Sequence, residues 1–145
     1  MIVKSPTTKE EFKAYYALRY KVLSEPWGHP HGTEKDDYEP LSEHFMAVDE
    51  ESGQALGVVK IFEKSPGAGQ LSHLAVHPKA QRRGVGSLLL ETVEQRARER
   101  GFATLGAMVH ATGTGYFEKH GYHVAGMPSA AHMGVSHLVW IEKEL

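Results

Sequence analysis

The sequence predicts one mixed α/β domain, with an α+β mixed sheet, spanning residues 1–145. Two observations carry that expectation. Segments with apolar residues at helical spacing alternate with segments that read as strands, and a strand–helix–strand unit sits in the middle. The chain has 145 residues with an apolar share of 41%, enough to bury a core without disulfides or a structural metal.

The elements follow in order. Ile2–Lys4 reads as a short edge strand stopped by Pro6. Thr8 precedes Glu10 and Glu11, a helix N-cap followed by acids in the first turn. Phe12, Tyr15, Tyr16, Leu18, Val22 and Leu23 then recur at helical spacing, which predicts a helix over 9–23. The segment from Pro26 to Gly32 breaks it and opens a long polar loop to Glu43. His44–Val48 and Leu56–Glu63 read as a hairpin, and Gln70–His77 as a third strand closed by Pro78. Val85, Leu88, Leu89, Val93 and Ala97 share one helical face, with Glu91, Glu94, Arg96, Arg98 and Arg100 on the other; Gly101 ends that helix. Phe102–Val109 is the next strand, Gly113–His120 a short helix, and Tyr122–Ala125 and Ser136–Ile141 two closing strands.

Composition narrows the function classes. With 16 Lys+Arg against 18 Asp+Glu, the formal net charge is −2, so no nucleic-acid partner is expected on bulk electrostatics. The Cys count is 0, which excludes a thiolate nucleophile and a Cys-ligated zinc. No apolar run reaches the ~20 residues needed to span a bilayer, and Met1–Pro6 lacks a signal-peptide layout. The expectation is a cytoplasmic protein without membrane association.

The chemistry-bearing feature is Gln81-Arg82-Arg83-Gly84-Val85-Gly86, between a strand and an amphipathic helix. Glycines let the backbone approach a ligand, and a helix start offers unpaired N–H groups. The turn predicts a bound diphosphate or other anion; an ordinary turn carrying two solvated arginines is the alternative. A dinucleotide fingerprint fails because its third glycine position holds Leu89, and no Gly-Lys-Ser/Thr string of a Walker loop occurs. The Q/R-x-x-G-x-G/A pattern of acyl-CoA-binding turns is satisfied in full.

Leu74-Ala75-Val76-His77-Pro78, leading into Gln81–Leu89, resembles the core motif of the GNAT N-acetyltransferases. Gly115-Tyr116-Phe117-Glu118-Lys119-His120-Gly121-Tyr122 resembles the family's second motif, and the hairpin and first helix fall in family order. The resemblance implies acetyl-CoA as co-substrate and a splayed core strand. Leu74, Ala75 and Val76 would hold pantetheine and the thioester carbonyl. Gln81, Arg82, Arg83, Gly84, Val85, Gly86 and Ser87 would surround the diphosphate. It implies direct acetyl transfer to a small-molecule amine or a protein amine, with a homodimer as the candidate assembly; a CoA-binding sensor or interaction module without turnover is the alternative.

That chemistry needs a neutral amine, an oxyanion donor and a way to protonate the thiolate. A backbone N–H of residues 74–76 is the donor candidate. In the second motif the family's acid position holds Phe117, and the tyrosine is Tyr116, one step or ~100° away on a helix. Tyr116 is therefore either a general acid or a packing residue. For the base, the family's slots on the core strand hold Gln70 and Ser72, which do not titrate usefully, and strand alternation turns His73 to the opposite side. His110 and His137 remain as candidates beside a purely structural reading of each.

No metal site is expected: His73 and His77, four apart on a strand, lie ~13 Å apart, and His29 and His31 lack a third ligand. The 26–43 loop is the candidate acceptor-recognition element. Trp27 would supply an aromatic wall, and Glu34, Asp36, Asp37 and Glu39 would attract a cationic amine; a solvated acidic loop is the alternative. Arg19 is expected to hold a substrate carboxylate or to pair with a loop acid.

Overall fold

A computed structural model of the chain describes residues 1–126 and 138–145. Its strands are β1 (Ile2–Lys4), β2 (Glu43–Val48), β3 (Ala55–Ser65), β4 (Ala68–Val76), β5 (Thr104–His110), β6 (His123–Gly126) and β7 (Leu138–Glu144). The helices are α1 (Lys9–Leu23), α2 (Val85–Glu99) and α3 (Thr114–Glu118). The strands form one 7-stranded sheet in the order β1-β2-β3-β4-β5-β7-β6. Neighbours are antiparallel except β4 and β5, which run parallel and are joined across the sheet by α2.

Alternation along the central strands divides the core. Phe45, Ala47, Val59, Ile61 and Leu71 pack with Val85, Leu89, Leu90 and Val93 of α2. Met46, Val48, Val58 and Ala75 pack instead with Tyr15 and Leu18 of α1. The two long helices thus cover opposite faces, and β3 is buried without interruption from Ala55 to Phe62. Helix α1 starts on a complete capping box, with the Glu11 N–H donating to Thr8 and the Glu11 carboxylate accepting from the Thr8 N–H.

The expected polar face of α2 differs at one residue. Glu94 is buried, and it accepts from the Tyr122 hydroxyl at 2.8 Å and the Lys143 ammonium at 3.1 Å. An acid on a helix flank is buried where neighbouring strands bring it a phenol and a cation.

The pairing of β4 positions the site. Its ladder with β5 covers only Ala68, Gly69 and Gln70. Beyond that point β5 stays paired with β7 as far as His110, while β4 stays paired with β3 as far as Val76. The two parallel strands therefore part, and one edge of β4 has no partner strand over Leu71–Val76 among the described residues. No described helix is long and apolar enough to cross a membrane.

Candidate active site

The gap between β4 and β5 opens into a cleft of about 900 Å³. Leu74, Ala75 and Val76 form one wall, and Ala107, Met108 and Val109 of β5 line it as well. At one end lies the turn into α2, where Gln81, Arg82, Gly84, Val85, Gly86 and Ser87 line the cleft. Arg83 is exposed and is not part of the lining among the described residues.

The turn presents free backbone N–H groups at the start of a helix. Gly84 caps α2 with φ +79°, a left-handed conformation that costs glycine little. The first intrahelical bond runs from the Leu88 N–H to the Gly84 carbonyl at 3.0 Å. The N–H groups of Val85, Gly86 and Ser87 thus have no intrahelical acceptor, and they carry the positive end of the helix dipole. Arg82 is also left-handed, with φ +65°. A non-glycine residue held this way costs about 1–3 kcal/mol and marks a backbone shape fixed by its surroundings.

A Cβ on Gly86 would lie 2.4 Å from the Tyr116 hydroxyl. Tyr116, half-exposed on α3, therefore reaches the turn into α2 with its phenol, while Phe117 also lines the cleft. His120 ties the two helices together. Its Nδ1 lies 2.9 Å from the Tyr116 carbonyl, so that nitrogen carries the proton, and Nε2 accepts from the Ser87 hydroxyl at 3.0 Å. His120 escaped the sequence reading because its contact with Ser87 forms only when α3 packs against the start of α2.

The other end of the cleft is lined by Val22, Leu23 and Ser24 at the close of α1 and by His29, Thr33 and Glu34 of the following loop. Glu34 is buried, and its carboxylate accepts from the Gly32 N–H at 2.7 Å. Trp27, 73% exposed, and Asp37, also exposed, lie outside the lining. His110 is exposed at the end of β5 and is likewise outside it. His137 falls outside the described residues.

Two of the loop acids are engaged by buried cations. Glu39 accepts from Arg19 at 2.8 Å and from Lys60 at 2.8 Å, and Asp36 binds Lys60 as well. Arg19 and Lys60 are fully buried, so the pairing is what permits their charge there. Burial alone would raise the Glu39 pKa; hydrogen bonds from Lys60, the Asp36 N–H and Arg19 outweigh it and hold the carboxyl well below the usual range. Arg19 thus pairs with a loop acid, one of its two expected roles.

The residue that sequence reasoning placed on the wrong side is His73. Strand alternation assumes an unbroken pleat, but the β3–β4 register slips between Val58 and Lys60, and His73 takes φ +55°. The bulge turns its side chain to the cleft, with Nδ1 3.1 Å from Ser72 Oγ and 3.9 Å from Asp36 Oδ2. Burial, then the charges of Arg19 and Lys60, push its pKa down to about 4 against the opposing pull of Asp36 and Glu39. It is a neutral imidazole near pH 7.

A splayed parallel pair leading into an amide-lined helix start suits a long ligand with an amide-bearing arm and a diphosphate. The sequence model of the family described as "Acetyltransferase (GNAT) family" matches residues 10–122. The chain belongs to the GNAT acetyltransferase family. It is similar to the uncharacterized N-acetyltransferase YjcF of Bacillus subtilis strain 168, 25% identical over 130 residues that cover 90% of this chain and 91% of that protein. The fold matches a GNAT family acetyltransferase from Elizabethkingia anophelis with acetyl-CoA bound, with a TM-score of 0.80 at 16% identity, covering 99% of this chain and 97% of that one. It also matches an aminoglycoside 6'-acetyltransferase type Ii, with a TM-score of 0.79 at 19% identity and coverage of 99% and 97%. The GNAT chain described here is thus an acyl-CoA-dependent acetyltransferase by family.

Proposed function

We propose that the chain moves an acetyl group from acetyl-CoA to a primary amine by direct attack within a ternary complex. The observation that carries this reading is the unpaired edge of β4 running into the free N–H groups of Val85, Gly86 and Ser87. Pantetheine, with alternating amide donors and acceptors, suits the Leu74–Val76 edge as an added strand. The diphosphate suits the α2 turn, with Gln81, Arg82, Arg83 and Gly84 around it. Gly86 lets the Tyr116 hydroxyl come up against the turn, where any Cβ would collide with it.

The acceptor enters from the α1 side, past His29, Thr33 and Glu34. Glu34 supplies a carboxylate for a cationic amine, and Trp27 and Asp37 stand further out. A small polar amine fits the cleft; a protein amine would have to reach in as an extended side chain or chain end. For an amine of lysine type, deprotonation at pH 7 costs about 4–5 kcal/mol, which the site must offset. A backbone N–H of residues 74–76 stabilises the oxyanion. The aminoglycoside acetyltransferase that shares the fold supports a small amine as the acceptor class.

The test is release of CoA thiol from acetyl-CoA with spermidine, kanamycin, a lysine-containing peptide and a peptide with a free N-terminus, beside calorimetric acetyl-CoA binding. Binding with amine-dependent release is expected. Binding without release from any acceptor would favour a sensor that holds CoA without turnover, and absence of binding would overturn the reading altogether.

A further inference from the structure

His73 combines three features that rarely coincide. It holds a left-handed backbone that its residue type disfavours, its side chain lines the cleft, and it touches the charged network of Asp36, Lys60, Glu39 and Arg19. Backbone strain of this kind persists where the surroundings over-determine it, and it collects at functional sites. Only Nδ1 of the ring is engaged among the described residues. Nε2 has no hydrogen-bond partner there and is not among the sequestered polar atoms, so it is open to the cleft.

We propose that His73 is the proton acceptor for the attacking amine, with Nδ1–H steered by Ser72 Oγ and the Asp36 carboxylate and Nε2 left bare to take the proton. This rests on the acetyltransferase reading above. An alkylammonium gives one proton to Nε2. The freed nitrogen lone pair forms the N–C bond at the thioester carbon. The C–S bond then breaks with its electron pair going to sulfur, and the second N–H proton ends on the CoA thiolate. Imidazolium returns its proton to water past Asp36, which is exposed at the surface.

The surroundings keep the ring ready. Arg19 from α1 and Lys60 from β3 repel a resident proton, while Asp36 and Glu39 of the loop steady a transient one. Across the cleft, His29, Glu34, Arg82 and Tyr116 are the other ionisable groups on the lining. Neutral imidazole at pH 7 is the form a base must start from; Asp36 and Glu39 favour the transferred proton, and the charges of Arg19 and Lys60 oppose it.

The experiment compares wild type with His73→Asn. Asparagine tolerates the left-handed backbone but cannot take the proton. With whichever panel amine the wild type acetylates, kcat at pH 7 should fall about 100-fold while the KM for acetyl-CoA stays unchanged. The deficit should close as the pH nears the amine's own pKa, where the free amine is present without help. Nitrogen-15 NMR of the imidazole should show the Nδ1–H tautomer in the CoA complex. Wild-type kcat in His73→Asn, a deficit independent of pH, or an Nε2–H tautomer would each overturn the assignment and leave the acetyltransferase reading standing. A wild type that binds acetyl-CoA yet acetylates no amine overturns that reading and the role of His73 together.

Discussion

At the scale of single residues, Gly86, Tyr116 and His73 test the proposed division of the site between binding and chemistry. Gly86→Val places a branched side chain where the Tyr116 hydroxyl and the diphosphate would meet. It should weaken acetyl-CoA binding at least 100-fold by calorimetry while leaving the circular dichroism spectrum intact. Tyr116→Phe removes one hydroxyl at the same turn and should raise the acetyl-CoA KM about 5-fold, the loss of one hydrogen bond of about 1 kcal/mol. A fall in kcat with KM unchanged would instead mark Tyr116 as a general acid. His73→Gly relieves the left-handed strain and should raise unfolding stability by about 1 kcal/mol in urea melts while losing turnover, a trade-off that a merely structural histidine would not show. The glycine turn was legible in the sequence because glycine spacing reports backbone shape directly. His73 was not, since nothing in Ser72-His73-Leu74 announces a bulge. The slip arises from pairing with β3, a tertiary choice that strand alternation cannot anticipate.

At the scale of elements, ion pairs tie the loop between α1 and β2 to the helix and the sheet. Glu39 bridges Arg19 of α1 to Lys60 of β3. Glu39→Ala would leave both buried cations without their shared partner, and it should cost about 3–5 kcal/mol in thermal or urea unfolding; a loss under 1 kcal/mol would contradict the network. The helices and strands themselves were readable: Thr8 and Glu11 announce the start of α1, and the apolar residues of Leu56–Glu63 announce a strand. The destination of the loop acids was not. Composition shows that Asp36 and Glu39 are acidic, but only the folded sheet brings Lys60 beneath them. Likewise the surface position of Trp27 depends on the turn through Gly28, whose left-handed φ of +71° ends a short 3-10 segment and leaves the indole outside.

At the scale of the whole molecule, buried neutral histidines tie stability to pH. His73 is pushed down to about 4, and burial also lowers the pKa of His44. In the unfolded chain both titrate near 6.5. Between about pH 6.5 and 4 the unfolded state takes up protons that the folded state refuses. Their contribution is therefore whole above pH 6.5 and is lost as the pH falls towards 4. Urea melts should show stability dropping across that window, with a slope shallower in His73→Asn by up to about 1 kcal/mol per pH unit; equal slopes would contradict the burial of a neutral ring. Acetyl-CoA should act in the other direction, adding about 2.7 kcal/mol at 100 times its Kd. Where CoA lies decides the rest, and amide hydrogen exchange with and without acetyl-CoA tests that most directly. Slowed exchange is predicted at Leu74–Val76 and Gly84–Ser87. Saturating acetyl-CoA that leaves those amides unchanged, or protects a different face, would contradict it.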